Sequence, residues 1–466
     1  MKIRKILFVC ILIFAMTGSA IAVMTQEEVA TLGGPDLTIF GAQKAANADG
    51  SIPAWTGGMT KGSDGWYYEG KLKVAFTEFD PKKSGLRPDP FADDAILYTI
   101  TAENMDKYAD KLSDGMMALL AKYPDDVKFN VYPSRRPASY AKEVMDGYKN
   151  CALNATLEKN GNKLANARMG IPFPIPKSGI EAVWNHLVHW TGTMEVFHYH
   201  AWIVTAAGRK VNTSDSDCYL EYPLWDPNTD RTDIVRYLYD NNFGPSNRAG
   251  EGLIAYFPTD KEGAAGQPVW RYLPGQRRVK LAPECRFDGP SVTVAGAGTY
   301  DETYMFNGSP EKYDWKLLGK KEMIIPYNNY RAQYWTHSDD LLGKHFLKPE
   351  PIRHELHRVW VVEGTLKPSE RHIYKRRVLY LDEDSWTAHL ADQFDANDKL
   401  WRMKYLISAF SYDYPAMSSF NDMGIDLISG VYYVLGHVAE DGGIFYAPGR
   451  PAQKWSPNIL SGRGVR

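Results

Sequence analysis

Apolar and polar positions alternate most regularly toward the C-terminal end of the chain. Residues 356–366 and 372–381 flank the turn Lys367-Pro368-Ser369-Glu370. Asp382-Glu383-Asp384 separates the second run from 386–394, and Asp395-Ala396-Asn397-Asp398 separates that run from 400–408. Four strand-like runs joined by short polar turns predict an antiparallel meander. Segments 194–206, 253–257, 268–273 and 315–325 are also β-like. Within the first meander run, Leu356, Arg358, Trp360 and Val362 share one face and His357, Val359 and Val361 the other. Both faces carry apolar groups, as expected if one meets a ligand and the other meets packed helices.

The first 190 residues follow a different period. Met105, Tyr108, Ala109 and Leu112 fall at helical spacing, as do Met116, Leu119, Leu120 and Tyr123, and then Val144, Tyr148 and Cys151. Thr25-Gln26-Glu27-Glu28 and Ser178-Gly179-Ile180-Glu181 are capping boxes, each opening a helix. The second helix carries Ile180, Val183, Trp184, Leu187 and Val188. Asn160-Gly161 signals a hairpin, and residues 59–95 are irregular. No repeat or strong linker divides the chain. The pattern predicts one β-rich α+β domain over 23–466, with a helical and loop-rich part over about 23–190 and a β-rich remainder.

The first 22 residues predict export. Lys2, Arg4 and Lys5 precede an apolar run of 11 residues, 6–16, and Ala20-Ile21-Ala22 is a small-residue cleavage site. The run is shorter than the roughly 20 residues that span a bilayer. A cleaved signal peptide places the mature chain in the periplasm, or peripheral to the outer membrane. Cys10 lies inside the run, so no lipoprotein is expected. Without the leader, 51 basic residues face 56 acidic ones, which gives no reason to expect nucleic acid as a partner. Aromatics are 13% of the chain, with 29 Tyr and 13 Trp, which suits strands. Cys151, Cys218 and Cys285 are an odd set with no metal spacing, and read as buried small apolar residues with room for one bridge at most.

Catalytic signatures are sparse. No G-x-S-x-G elbow, Walker loop, dinucleotide fingerprint or C-x-x-C is present. His354-Glu355-Leu356-His357 places its imidazoles three apart in a strand, on opposite faces, so zincin chemistry is not expected. His198-Tyr199-His200 puts two imidazoles on one strand face, a geometry that binds metal only with further ligands the sequence does not identify. His186 and His189 share a helix face. Asp382, Glu383 and Asp384 lack the glycine and distal Glu of a calcium loop and read as a solvated turn. Cofactor and metal are therefore expected to be none, and the chain is not expected to be an enzyme.

Basic residues recur beside aromatics. The first cluster runs over 270–279 and offers Trp270, Tyr272, Arg277 and Arg278 as ligand-contacting residues. The second offers Arg358 and Trp360, with Tyr380 and Trp386 on the following runs. A guanidinium beside an aromatic ring suits an anionic headgroup joined to an apolar tail. The alternative is a set of edge-strand charges that discourage aggregation.

Taken together, several segments resemble the bacterial domain-of-unknown-function family 1329, grouped with the LolA/LolB-like, outer-membrane lipoprotein-sorting-like proteins. They are 41–58 with Ile52-Pro53-Ala54-Trp55-Thr56-Gly57-Gly58, and Gly170-Ile171-Pro172-Phe173-Pro174-Ile175-Pro176 leading to Trp184-Asn185-His186. Further segments are Leu273-Pro274-Gly275-Gln276-Arg277-Arg278-Val279, 313–317, 354–366 and 380–386. The resemblance implies an incomplete antiparallel β-barrel, a curved sheet around an apolar cavity plugged by helices. It implies a carrier or acceptor of lipid-like molecules that works with a resistance-nodulation-division type exporter or an outer-membrane partner. The alternatives are a non-catalytic assembly factor of an envelope complex and a metal-dependent periplasmic enzyme. The resemblance supplies no catalytic residues, and the lid-locking Arg of LolA carriers has no counterpart here.

Overall fold

The computed structural model describes residues 21–22, 24–61, 85–263, 267–418 and 420–463. The predicted leader, apart from its last two residues, lies outside the described residues, as does most of the irregular segment 59–95. Sixteen strands join one sheet. They are β1 (Tyr98–Ile100), β2 (Phe129–Val131), β3 (Met194–Val204), β4 (Lys210–Glu221), β5 (Ile234–Gly244), β6 (Gly252–Pro258), β7 (Val269–Leu273) and β8 (Arg278–Leu281). The rest are β9 (Tyr313–Pro326), β10 (His354–Leu366), β11 (Arg376–Asp382), β12 (Ala388–Phe394), β13 (Leu400–Leu406), β14 (Asp422–Asp426), β15 (Tyr432–His437) and β16 (Phe445–Tyr446).

Two meanders build this sheet. β3 to β8 follow one another outward in chain order, and β10 to β13 do the same elsewhere. The hairpin β14–β15 joins them, β15 pairing with β3 and β14 with β13. β9 lies antiparallel along β10 for its whole length, and β2 meets the start of β10 in parallel, at Val131 and His354. β8 and β9 end the antiparallel series at opposite edges, so the barrel is incomplete, as expected. The predicted four-strand meander is β10–β13.

Strands β1, β2, β4, β5, β8, β14, β15 and β16 escaped the sequence reading. β4 reads Thr213-Ser214-Asp215-Ser216-Asp217 at its centre, too polar to signal a strand. The ladder forms because those groups are satisfied locally: the Ser216 hydroxyl donates to Asn242 Oδ1 at 2.9 Å, and Asp215 N–H donates to the same oxygen at 3.2 Å.

Helices α1 (Gln26–Thr31), α2 (Asp114–Lys122), α3 (Lys142–Asn154) and α4 (Gly179–Leu187) match the predicted periods. Thr25 and Glu28 form the reciprocal capping box. Ser178 does not cap α4; the Glu181 carboxylate accepts Lys177 N–H at 2.6 Å instead. The 105–112 period becomes a 3₁₀ helix, Met105–Lys111. Asn160-Gly161 turns between two short paired strands, 156–158 and 163–165.

Helices α2–α4 and the segments 40–52 and 323–347 pack onto the sheet and contribute to one large apolar core, in which Trp184, Trp225, Tyr330 and Trp386 are fully enclosed. This corrects the expected extent of the apolar cavity under the curved sheet. Aromatic side chains fill most of the space between sheet and cover, because a Tyr or Trp buries 150–250 Å² and finds hydrogen bonds for its polar tip. Trp184 donates to the Gly161 carbonyl and Trp386 to the Phe40 carbonyl, at 2.7 and 2.9 Å.

The turn at Asp382-Glu383-Asp384 is not solvated, a second correction. All three carboxylates are buried. Arg136 grips Asp384 through two hydrogen bonds of 2.8 and 2.7 Å, and Arg358 and Lys320 hold Glu383 at 3.1 and 2.7 Å. Asp382 accepts from Tyr327 and Ser385. Buried charge requires such partners; they come from 55 or more residues away for Tyr327, Lys320 and Arg136, so no local pattern announces them. Cys151, Cys218 and Cys285 are all buried free thiols.

Candidate functional site

Between β3–β7 and the segment 285–307 a cavity remains open. Alternation along the strands decides its lining. Tyr199 of β3, Cys218 of β4, Leu238 and Asp240 of β5, Ala255 and Phe257 of β6, and Val269 and Arg271 of β7 face it. Phe420 and Leu435 close its far wall. Its volume is about 90 Å³. That is room for roughly six water-sized groups, enough for one ring or the end of an acyl chain.

The floor is mostly apolar, with the Asp240 carboxyl set into it, and the rim is charged. Arg248 and Arg271 share the Glu251 carboxylate, at 3.1 and 3.5 Å, which leaves the rim with an excess positive charge. Arg248 also donates to the carbonyls of Thr213 and Val292, at 2.6 and 3.3 Å. It thereby ties the covering segment to β4, assisted by the Thr213 hydroxyl donating to the Thr293 carbonyl at 2.8 Å. Inside, Asp240 accepts a 2.7 Å hydrogen bond from Tyr199. Burial raises the Asp240 carboxyl to about 6, against the opposing pull of Tyr199 and Arg248. Cys285 donates to Tyr300 at 3.2 Å, and burial raises its thiol too, so it is a poor nucleophile.

The eight residues singled out in the sequence do not converge on one place. Trp270 and Tyr272 point away from the cavity, into a second, smaller core with Tyr237, Tyr239 and Trp455. Arg277 and Arg278 are exposed at the β7–β8 turn and the start of the edge strand β8. Arg358 is engaged by Glu383 and the Ala45 carbonyl. Trp360 stacks over Trp386 with centroids 6.1 Å apart and lies under Lys320. Tyr380 donates to the buried Asp392 at 3.0 Å. None of the eight lines the cavity. Asp240 and Arg248 went unremarked, and Arg271 lay within the 270–279 cluster without being chosen, although the period of two in Trp270-Arg271-Tyr272 already separates it from its neighbours.

The histidine pairs also find their partners. His186 is buried and bonded to the carbonyls of Tyr304 and Phe306, at 3.0 and 3.1 Å, and burial lowers it to about 4. His354 and His357 face opposite ways, as expected: the first meets Tyr405 at 2.8 Å, the second Glu355 at 3.0 Å. His198 and His200 lie side by side on the face of β3 away from the cavity, ring centroids 5.7 Å apart.

A family model described as a protein of unknown function, DUF1329, matches residues 99–461. The chain belongs to the DUF1329 family. It is 35% identical over 456 residues to an uncharacterized protein of Pseudomonas aeruginosa, covering 96% of this chain and 95% of the other. Among solved structures, one described as an outer membrane lipoprotein-sorting protein domain, from Vibrio parahaemolyticus, shares 13% identity at a TM-score of 0.42. It covers 61% of this DUF1329 chain and 98% of its own. A LolA superfamily protein of Nitrosomonas europaea shares 9% identity at a TM-score of 0.37, covering 61% and 100%. Within the described residues no helix is long and apolar enough to cross a membrane.

Proposed function

We propose that this DUF1329 protein is a periplasmic carrier or acceptor of lipid-like molecules, exported by its leader and working beside a resistance-nodulation-division type exporter or an outer-membrane partner. One observation carries the reading: the cavity joins an apolar floor to a rim with surplus guanidinium charge. That pairing matches an amphiphile with an apolar end and an anionic head. A 16-carbon tail in water forgoes roughly 12 kcal/mol at about 0.8 kcal/mol per methylene, so a protein that shelters even part of it lowers the barrier to crossing an aqueous space. A cavity of about 90 Å³ takes the end of such a tail, not its whole length. The remainder lies along the mouth or requires the covering segment to move outward.

Mature protein purified from its own periplasm is expected to carry an amphiphile identifiable by native mass spectrometry and extraction. After delipidation it should bind a fluorescent fatty-acid analogue. Ala255→Trp, which fills the floor, should weaken that binding tenfold or more while far-UV circular dichroism stays unchanged. Wild-type protein that neither retains nor binds an amphiphile, or Ala255→Trp that binds as well as wild type, would defeat the proposal.

A further inference from the structure

The face of β3 turned away from the cavity carries a second constellation. Strand pairing sets His200 opposite Asp215 on one side and His437 on the other, and sets His198 opposite Asp217. Paired residues project to the same side of a sheet, so three imidazoles and two carboxylates share one patch. The turn after β15 adds Glu440 and Asp441. His198 Nε2 lies 2.5 Å from Asp215 Oδ1, and His200 Nε2 lies 2.7 Å from Asp441 Oδ2 and 3.8 Å from Glu440 Oε2. The ligand atoms of His198, His200 and Asp215 fall within 4.8 Å of one another, as do those of His200, Glu440 and Asp441.

We infer that His198, His200, Asp215 and Asp441 form a binding site for a divalent first-row transition metal. Three observations lead there. First, no fixed cation answers the carboxylates. With neutral imidazoles the patch holds four carboxylates, and among the described residues Asp215, Asp217 and Asp441 pair with no Lys or Arg. The buried cluster His357, Asp382 and Asp384 is the contrast, because Arg136 stands beside it. Second, the supporting shell is in place. His198 Nδ1 meets Asp217 Oδ1 at 2.9 Å, which fixes the ring with Nε2 toward the other ligands; metal-binding imidazoles are held in this way. Third, His437 is fully buried, and neither of its ring nitrogens has a hydrogen bond of normal geometry. It stands next to His200 in the row, within electrostatic reach of Glu440, with the Thr336 carbonyl nearby.

The donor set selects the ion. Two imidazole nitrogens with carboxylates suit Zn²⁺ or Fe²⁺, whereas Ca²⁺ and Mg²⁺ prefer oxygen alone. Tetrahedral bonds of about 2.0–2.1 Å place ligand atoms roughly 3.3 Å apart. The pairs now at 2.5 and 2.7 Å would open by less than about 1 Å to admit the ion. The site lies on the opposite face of the strands from the cavity and does not depend on the carrier reading.

The test uses untagged mature protein, stripped with a chelator and then dialysed against Zn²⁺. Elemental analysis should find one equivalent bound, and Co²⁺ in its place should give the visible absorption bands of a tetrahedral nitrogen–oxygen site. His200→Gln should reduce stoichiometry to near zero. Asp441→Asn lies outside the strands, is not expected to disturb folding, and should weaken binding at least tenfold. Zn²⁺ should raise the melting temperature of wild type and of neither variant. Wild-type protein retaining under a tenth of an equivalent overturns the inference, and so does binding that both variants leave unchanged.

Discussion

Breaking the ion pair between Arg136 and Asp384 tests how the fold is held. Arg136 stands between β2 and α3, and Asp384 follows β11. Their side chains are 2% and 1% exposed, so water screens neither charge. The guanidinium makes two hydrogen bonds to the carboxylate and also donates to the carbonyls of Gln43 and Pro53, at 2.7 and 3.2 Å. It therefore clamps the 43–53 segment onto the sheet. Arg136→Met keeps the stem and removes the charge. It strands a buried carboxylate and frees the partly buried carbonyls of Gln43 and Pro53, and removing one partner of such a buried ion pair costs about 3–5 kcal/mol. Asp384→Asn alone should cost a similar amount. The double variant should cost at least about 1.5 kcal/mol less than the sum of the two, because each single change strands the other partner's charge and the double change strands neither. Urea unfolding followed by tryptophan fluorescence measures this, since Trp386 lies two residues from Asp384 in a fully buried setting. An Arg136→Met cost below about 1 kcal/mol, or strict additivity in the double variant, would refute the assignment of this pair as the clamp.

Two further outcomes follow from particular side chains. Asp240 has its carboxyl raised to about 6 by burial. It is therefore neutral at pH 5 and charged at pH 7.5, inside the same cavity that the rim makes attractive to anions. An alkyl sulfate, whose own charge is constant, should bind more tightly at pH 5 than at pH 7.5; Asp240→Asn should bind alike at both, and a wild-type affinity independent of pH would contradict this. The same group favours the folded state below pH 4, and that contribution fades as pH rises through about 6. Trp455 stacks on Tyr237 with centroids 5.1 Å apart, and its carbonyl accepts from Tyr256 at 2.7 Å. Trp455→Ala should cost about 3–5 kcal/mol and expose residues 447–463 to limited proteolysis, which mass spectrometry of the fragments would reveal.

Period and punctuation made much of the fold legible. The alternation in β10–β13 and the charged turns between them specify antiparallel neighbours, because a two-residue period leaves one register that keeps Val362 and Leu379 buried together. The capping box at Thr25 and the stripe Val144, Tyr148, Cys151 specify helices for equally local reasons. β4 was illegible because its polar residues are satisfied by Asn242 on the neighbouring strand, a partner that a linear reading does not supply. The site was less legible. Aromatic–basic clusters drew attention to Trp270 and Tyr272, yet the same alternation sends Arg271 to the cavity and those rings to the smaller core.

The sequence by itself determined the β-rich class, the helix periods, the family and the pairing of His198 with His200 on one face. Each is a property of neighbours along the chain, where the backbone repeat alone decides which side chains share a side. Tertiary structure decided which carboxylates meet those imidazoles, which charges are enclosed, and how much space stays open beneath the sheet. Those outcomes depend on residues such as His200 and Asp441, brought within 2.7 Å across 241 positions of chain. Such a distance is set by the packing of the whole molecule against water.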